Sequence, residues 1–222
     1  MKLKALLVAG AVCLASAVNS SAQAVFSANT VGFVNKTIPS GFSLISNPVI
    51  AADNSIAALF ADAPGGFKVF KFDPGQGTFS TITKGLFGWG SDAQSTTLVP
   101  GEGAFISNPG AEFTITFTGE VMQGPQSNME IGAGFSIVSS VVAQGGTLQT
   151  DLGFPSAEND QVFQFNVGTQ AYETYNFTDF NDALQSPVWF PSEPSVGVGE
   201  SFFVNKASTV SWNRNFDPNG GQ

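Results

Sequence analysis

The sequence predicts an all-β protein: two tandem, related modules, β-sandwich or barrel-like, packed together, with at most one short helix in module one. Three observations predict it. Charged residues make up only 11% of the chain, Phe supplies 22 of the 27 aromatics, and Gly and Pro number 25 and 12. Phe, Val and Thr suit a pleated, half-buried surface, and closely spaced turn residues cut the chain into short strands. The stretch Gly-Phe-Ser-Leu-Ile-Ser at 41–46 returns as Gly-Phe-Ser-Ile-Val-Ser at 134–139. The same 93-residue offset carries Val69, Phe70 and Phe72 to Val162, Phe163 and Phe165, and Phe79 and Ile82 to Tyr172 and Tyr175. A constant offset over so many apolar positions marks a duplicated core.

Residues 1–24 read as a secretory signal peptide with cleavage after Ala24. Lys2 and Lys4 precede an apolar run, and Ser21-Ala22-Gln23-Ala24 places small residues where a signal peptidase cuts. The run at 5–18 is shorter than the roughly 20 residues a membrane span needs. Cys13 does not make a lipoprotein signal, because Val12 precedes it where a small residue is required and it lies midway along the run. Cleavage of the 222-residue chain leaves 198 residues with no cysteine, so packing without disulfides must hold the fold. Lys2 and Lys4 leave as well, so 6 basic residues face 17 acidic ones, a net charge of −11. That balance argues against nucleic acid and anionic lipid surfaces as partners.

Module one is assigned to 25–121, a linker and lead-in to 122–133, and module two to 134–222. Val31, Phe33 and Val34 anchor a lead-in strand that ends at the turn Pro39-Ser40-Gly41. Phe42, Leu44 and Ile45 open the first repeated strand, and Asn47-Pro48 stops it. Ile56, Leu59 and Phe60 are spaced by three and four behind Asp53 and Ser55, the signature of one short capped helix. Residues 67–72 and 78–82 form a hairpin around Asp73-Pro74-Gly75-Gln76-Gly77. A Gly-rich loop at 85–90 carries Trp89. Pro100-Gly101-Glu102-Gly103 turns into a strand at 104–106, and 112–118 alternates Phe113, Ile115 and Phe117 with threonines, a half-buried strand.

Module two repeats this order. Gly199-Glu200 answers Gly101-Glu102 and Phe203-Val204 answers Phe105-Ile106 after a small insertion. Trp212 belongs to a closing strand with Val210, Arg214 and Phe216 and is assigned to the core. Phe33-Val34-Asn35-Lys36 echoes Phe203-Val204-Asn205-Lys206, which suggests that the lead-in is part of the same repeat.

The stretches Gly-Phe-Ser-Leu-Ile-Ser-Asn-Pro, Val-Phe-Lys-Phe-Asp-Pro, Leu-Val-Pro-Gly-Glu-Gly-Ala-Phe-Ile and Phe-Thr-Gly-Glu-Val resemble a β-rich module common in secreted bacterial proteins. Its consensus reads Gly-Trp-Asn-Leu-Ile-Ser-Leu-Pro, then a Tyr-Asp hairpin, then Pro-Gly-x-Gly-Tyr-Trp-Val. Phe42, Ala104 and Phe105 stand here where that module carries bulkier aromatics. The two-module form is similar to exported proteins of environmental bacteria. The resemblance implies an extracellular β-rich unit and brings no catalytic residues with it.

Chemistry is narrowed by what is missing. The chain has no histidine, which removes Ser-His-Asp and Cys-His catalysis and the usual histidine metal sites. The Gly-rich stretch at 85–90 lacks the Gly-Lys-Ser/Thr ending that holds phosphate. Glu102 and Glu200 occupy matching turns, and Asp73 sits in a third; these carboxylates are expected to accept backbone N–H bonds rather than to catalyse or hold calcium. No catalytic residue, cofactor or metal is expected. The expected role is that of an exported, non-enzymatic structural or interaction protein of the cell envelope or extracellular matrix. It would be secreted, at the cell surface or periplasmic, and its partner a protein or polysaccharide of the envelope. The alternative is carbohydrate binding through Trp89 and Trp189, placed in corresponding loops before the two Gly-Glu turns.

Overall fold

A computed structural model describes residues 30–178 and 188–217. The expected signal peptide and its expected cleavage site after Ala24 lie outside the described residues. The strands in chain order are β1 (Val31–Ile38), β2 (Gly41–Ile45), β3 (Lys68–Asp73), β4 (Thr78–Thr83), β5 (Ala104–Asn108), β6 (Phe113–Glu120), β7 (Met129–Ile131) and β8 (Gly134–Val138). They continue with β9 (Gly146–Thr147), β10 (Asp160–Asn166), β11 (Ala171–Thr178), β12 (Val188–Phe190), β13 (Ser195–Val196), β14 (Phe202–Lys206) and β15 (Val210–Trp212). Helix α1 (Ile56–Leu59) precedes β3, and α2 (Ser91–Ser95) precedes β5. The all-β expectation holds. The expectation of at most one short helix does not, because α2 is a second one: Ala93 is fully buried against the core, which fixes a turn of helix that the sequence periodicity does not announce. Among the described residues the sheets do not close into a barrel.

Module one has one antiparallel sheet in the order β2-β5-β3-β4. Its strands alternate, so one face carries Ile45, Ala104, Ile106, Val69 and Ile82. That face packs on the β1–β6 ribbon through Ile38, Ile115 and Phe117, and on α1 through Ile56 and the residue that follows it, Phe60. The helix forms because Ser55 caps it, its side chain accepting from the Ala58 N–H at 3.2 Å, while Asp53 accepts from the Ser55 N–H at 2.8 Å. Phe60, Phe67 and Phe117 are fully or almost fully buried, and each contributes roughly 1.5–3 kcal/mol.

Module two has the same sheet with one strand added, β12-β11-β10-β14-β8. Strand β8 answers β2, β14 answers β5, β10 answers β3 and β11 answers β4. The short pair β7–β15 answers the β1–β6 ribbon, with Ile131 opposite Val210 as Ile38 is opposite Phe113. Its core gathers Ile131, Leu148, Leu152, Phe154, Val162, Phe202, Val204 and Trp212. Trp212 is almost fully buried and donates its indole N–H to the Leu152 carbonyl at 2.8 Å, as a core tryptophan needs. The lead-in echo is not structural: Phe33–Lys36 lies in a cover strand, whereas Phe203–Lys206 lies in the sheet strand β14.

One core position is solved differently in the two modules. In module two, Lys206 and Asp160 form a fully buried salt bridge, and Lys206 also donates to the Pro155 carbonyl at 2.7 Å. The matching residues of module one are Phe67 and Asn108. Asn108 donates to the Pro39 and Ala111 carbonyls at 3.1 and 2.9 Å, and Phe67 packs against Phe60 and Phe113.

Candidate interaction site at the aromatic seam

The second face of each sheet is also apolar. Alternation places Phe42, Phe70, Phe72, Phe79 and Phe105 on the side of the first sheet turned away from its own core. In the second sheet the matching set is Phe135, Phe163, Phe165, Tyr172 and Phe203. The two faces meet. Phe105 packs edge-on against Phe165, 4.9 Å between centroids, and lies 6.4 Å from Tyr172. The reciprocal contact is made by Phe203, edge-on to Phe72 at 5.5 Å and to Phe79 at 6.0 Å. Each phenylalanine is the repeat equivalent of the other, and so are the pairs that receive them.

The backbone repeats the exchange. The Ser46 N–H donates to the Gly199 carbonyl at 3.0 Å, and the Ser139 N–H to the Gly101 carbonyl at 2.9 Å. The Ser46 hydroxyl donates to the Glu200 carbonyl at 3.1 Å, and the Ser139 hydroxyl to the Glu102 carbonyl at 3.2 Å. The two modules are therefore related by a local two-fold, the arrangement of an isologous dimer carried on one chain. Gly103 faces its own repeat equivalent across that two-fold with no room for a side chain: a Cβ there would lie 2.5 Å from Cβ of Ser201 and 2.3 Å from Cγ2 of Ile137.

Charged groups at the seam are committed to structure. Glu200 pairs with Lys36 at 2.8 Å and accepts from the Gly197 N–H at 2.9 Å. Glu102 pairs with Lys71 at 2.9 Å and accepts from the Val99 N–H at 3.1 Å. Both carboxylates cap their own turns, as the sequence leads one to expect. Partial burial by itself would raise the Glu200 pKa, but the Lys36 and Gly197 hydrogen bonds and the Lys36 charge outweigh it and hold the carboxyl below its ordinary value of 4.5. Asp73 accepts from the Gly75 and Gln76 N–H groups at 2.8 and 3.2 Å, an Asx turn. Among the described residues no group of three or more carboxylate, His or Cys side chains is placed to hold a metal ion.

The seam does not close over all its rings. Phe42, Phe79, Phe135 and Tyr172 remain 41%, 45%, 48% and 48% exposed. On module one, Phe42, Phe70, Phe79, Thr81 and Phe105 line an open pocket of about 380 Å³. Thr81 supplies its one side-chain hydroxyl. The site is thus aromatic, uncharged and shallow.

Trp89 and Trp189 do not form part of it. Trp189 is not in a loop: it lies on β12, only 8% exposed, packed on Phe177 and Phe154 at 5.1 and 6.4 Å. Trp89 is half-buried, edge-on to Phe67 at 6.4 Å, with its indole N–H donating to the Phe60 carbonyl at 3.1 Å. The two tryptophans belong to different cores and present no shared platform. The seam rings, by contrast, are passed over when each phenylalanine is counted simply as core. The available signal is in Val-Phe-Lys-Phe at 69–72, where the apolar residues fall on both faces of one strand. Family models, curated proteins and solved structures were compared with the chain, and none matches.

Proposed function

We propose that the protein is an exported, non-enzymatic interaction or structural protein, working in the cell envelope or extracellular matrix through the rim of its aromatic seam. The observation that carries this reading is the exposed rings Phe42 and Phe79, which line an uncharged pocket with Phe105, on which the exposed Tyr172 also packs. A contiguous apolar patch on a protein surface marks a place where another apolar surface docks. The carboxylates that a hydrolase would need free are capping turns and paired with lysines. The pocket offers ring faces with almost no hydrogen-bonding groups, which suits a protein partner better than a polysaccharide, whose hydroxyls would be left unpaired.

Export is tested by expressing the full chain in a Gram-negative host and sequencing the N-terminus of the extracytoplasmic protein. The expected first residue is Val25; an uncleaved cytoplasmic product would overturn it. Interaction is tested by affinity capture from envelope extracts with the wild type and a Phe42→Ala, Phe79→Ala variant. Capture of a defined protein by the wild type alone supports the reading. Retention on insoluble polysaccharide that survives the double substitution would overturn it.

A further inference from the structure

The two sheets differ at one edge, and that difference points to a second interaction surface. In module two the outer strand β11 is covered: β12 pairs with it antiparallel, Phe190 opposite Asn176 and Val188 opposite Thr178. In module one the equivalent strand β4 ends the sheet, with no strand on its far side among the described residues. Every residue of β4 is exposed except Ile82. Its sequence, Thr-Phe-Ser-Thr-Ile-Thr, has no charge, no proline and no glycine, in a chain whose formal net charge is −9. An edge of that composition lacks the charges, prolines and bulges by which proteins keep bare edges from pairing.

We propose that β4 is the pairing edge for a second copy of this chain, β4 to β4 and antiparallel across a two-fold. Three observations favour this occupant. The uncharged strand meets its own copy without like-charge opposition. Its one flanking charge is placed to tolerate a copy: Lys84 follows the strand directly, and antiparallel pairing carries the two copies of Lys84 to opposite ends of the paired edge, while Asp73 lies on β3 opposite Thr78 with its carboxylate held in the Asx turn. Lys84 donates to the Ala61 and Ala63 carbonyls, each at 2.6 Å, and its charge meets no carboxylate among the described residues. Beyond the strand, Leu86 and Phe87 stand 94% and 106% exposed on a turn held by reciprocal Gly85–Gly88 hydrogen bonds, so further apolar area lies next to the paired edges. Residues opposite one another share a face, which places Phe79 across from a residue of the same outer face, Phe79, Thr81 or Thr83 of the second copy. The aromatic pocket then runs on into the second molecule.

The test uses the purified protein and does not depend on the export reading, so a failure here leaves that reading untouched. Sedimentation equilibrium at about 100 µM should give a dimer, since a dissociation constant near 1 µM leaves little monomer there. Thr81→Lys should weaken association at least about tenfold by placing like charges on the edge, whereas Thr81→Val should not. Both side chains point to solvent, and circular dichroism confirms that each variant is folded. With Cys13 replaced by Ser, a cysteine introduced singly at Phe79, Ser80 or Thr81 should yield a disulfide-linked dimer at the residue on the two-fold. A monomer at that concentration would overturn the proposal, and so would a dimer indifferent to Thr81→Lys.

Discussion

Lys206 and Asp160 are a buried charge pair that no apolar pattern in the sequence discloses. Asp160 leads β10 and Lys206 closes β14, positions that read as strand ends exposed to water. They are buried because these ends turn under Phe154, whose ring centroid lies 5.0 Å from the ammonium. Removing one partner leaves the other charge unpaired in the core, so Asp160→Ala should cost about 3–5 kcal/mol in urea denaturation. Replacing both, Asp160→Leu with Lys206→Met, should cost less than that single substitution. Glu200 makes a different prediction. Its carboxyl pKa is lowered in the folded state, so its contribution is complete above the ordinary value of 4.5 and is lost as pH falls through the lowered one. Between pH 7 and about 3 the wild type should therefore lose more stability than Glu200→Gln, as urea midpoints at the two pH values would register.

Among the elements, the β3–β4 hairpin, the alternating strand β6 and the capped helix α1 follow from local chemistry alone. Asp-Pro-Gly fixes the turn, alternation fixes the face, and Ser55 fixes the helix start. What local chemistry does not supply is the second face. Phe42, Phe70, Phe72, Phe79 and Phe105 look like core but lie outside their own: Phe72, Phe79 and Phe105 pack against the opposite module, and Phe42 and Phe70 pack on Phe105. That choice depends on the sister sheet, 93 residues on, which no window of neighbouring residues contains. Trp189 shows the converse: the insertion that makes it resemble a loop residue builds a strand instead and buries it. At Gly103 the opposite module leaves no room for a side chain. Gly103→Ala should cost about 1–3 kcal/mol by forcing Ser201 and Ile137 apart, read as a lower denaturation midpoint.

For the whole molecule, two separate cores are joined by one seam. Phe105 and Phe203 make equivalent insertions across it, so Phe105→Ala and Phe203→Ala should destabilise by similar amounts, about 2 kcal/mol each for partly exposed rings. The wild type should melt as one unit. The double variant should melt in two steps by differential scanning calorimetry, because modules of this size unfold separately once their coupling is lost. Strand β12 carries a further consequence for how many molecules gather. Growth into a fibre needs two adhesive ends per unit, and β12, three residues long and followed by Pro191, blunts the edge that would have been the second. Pairing of β4 with β4 is itself monovalent: each copy commits its edge to the other, and that contact joins two chains and no more.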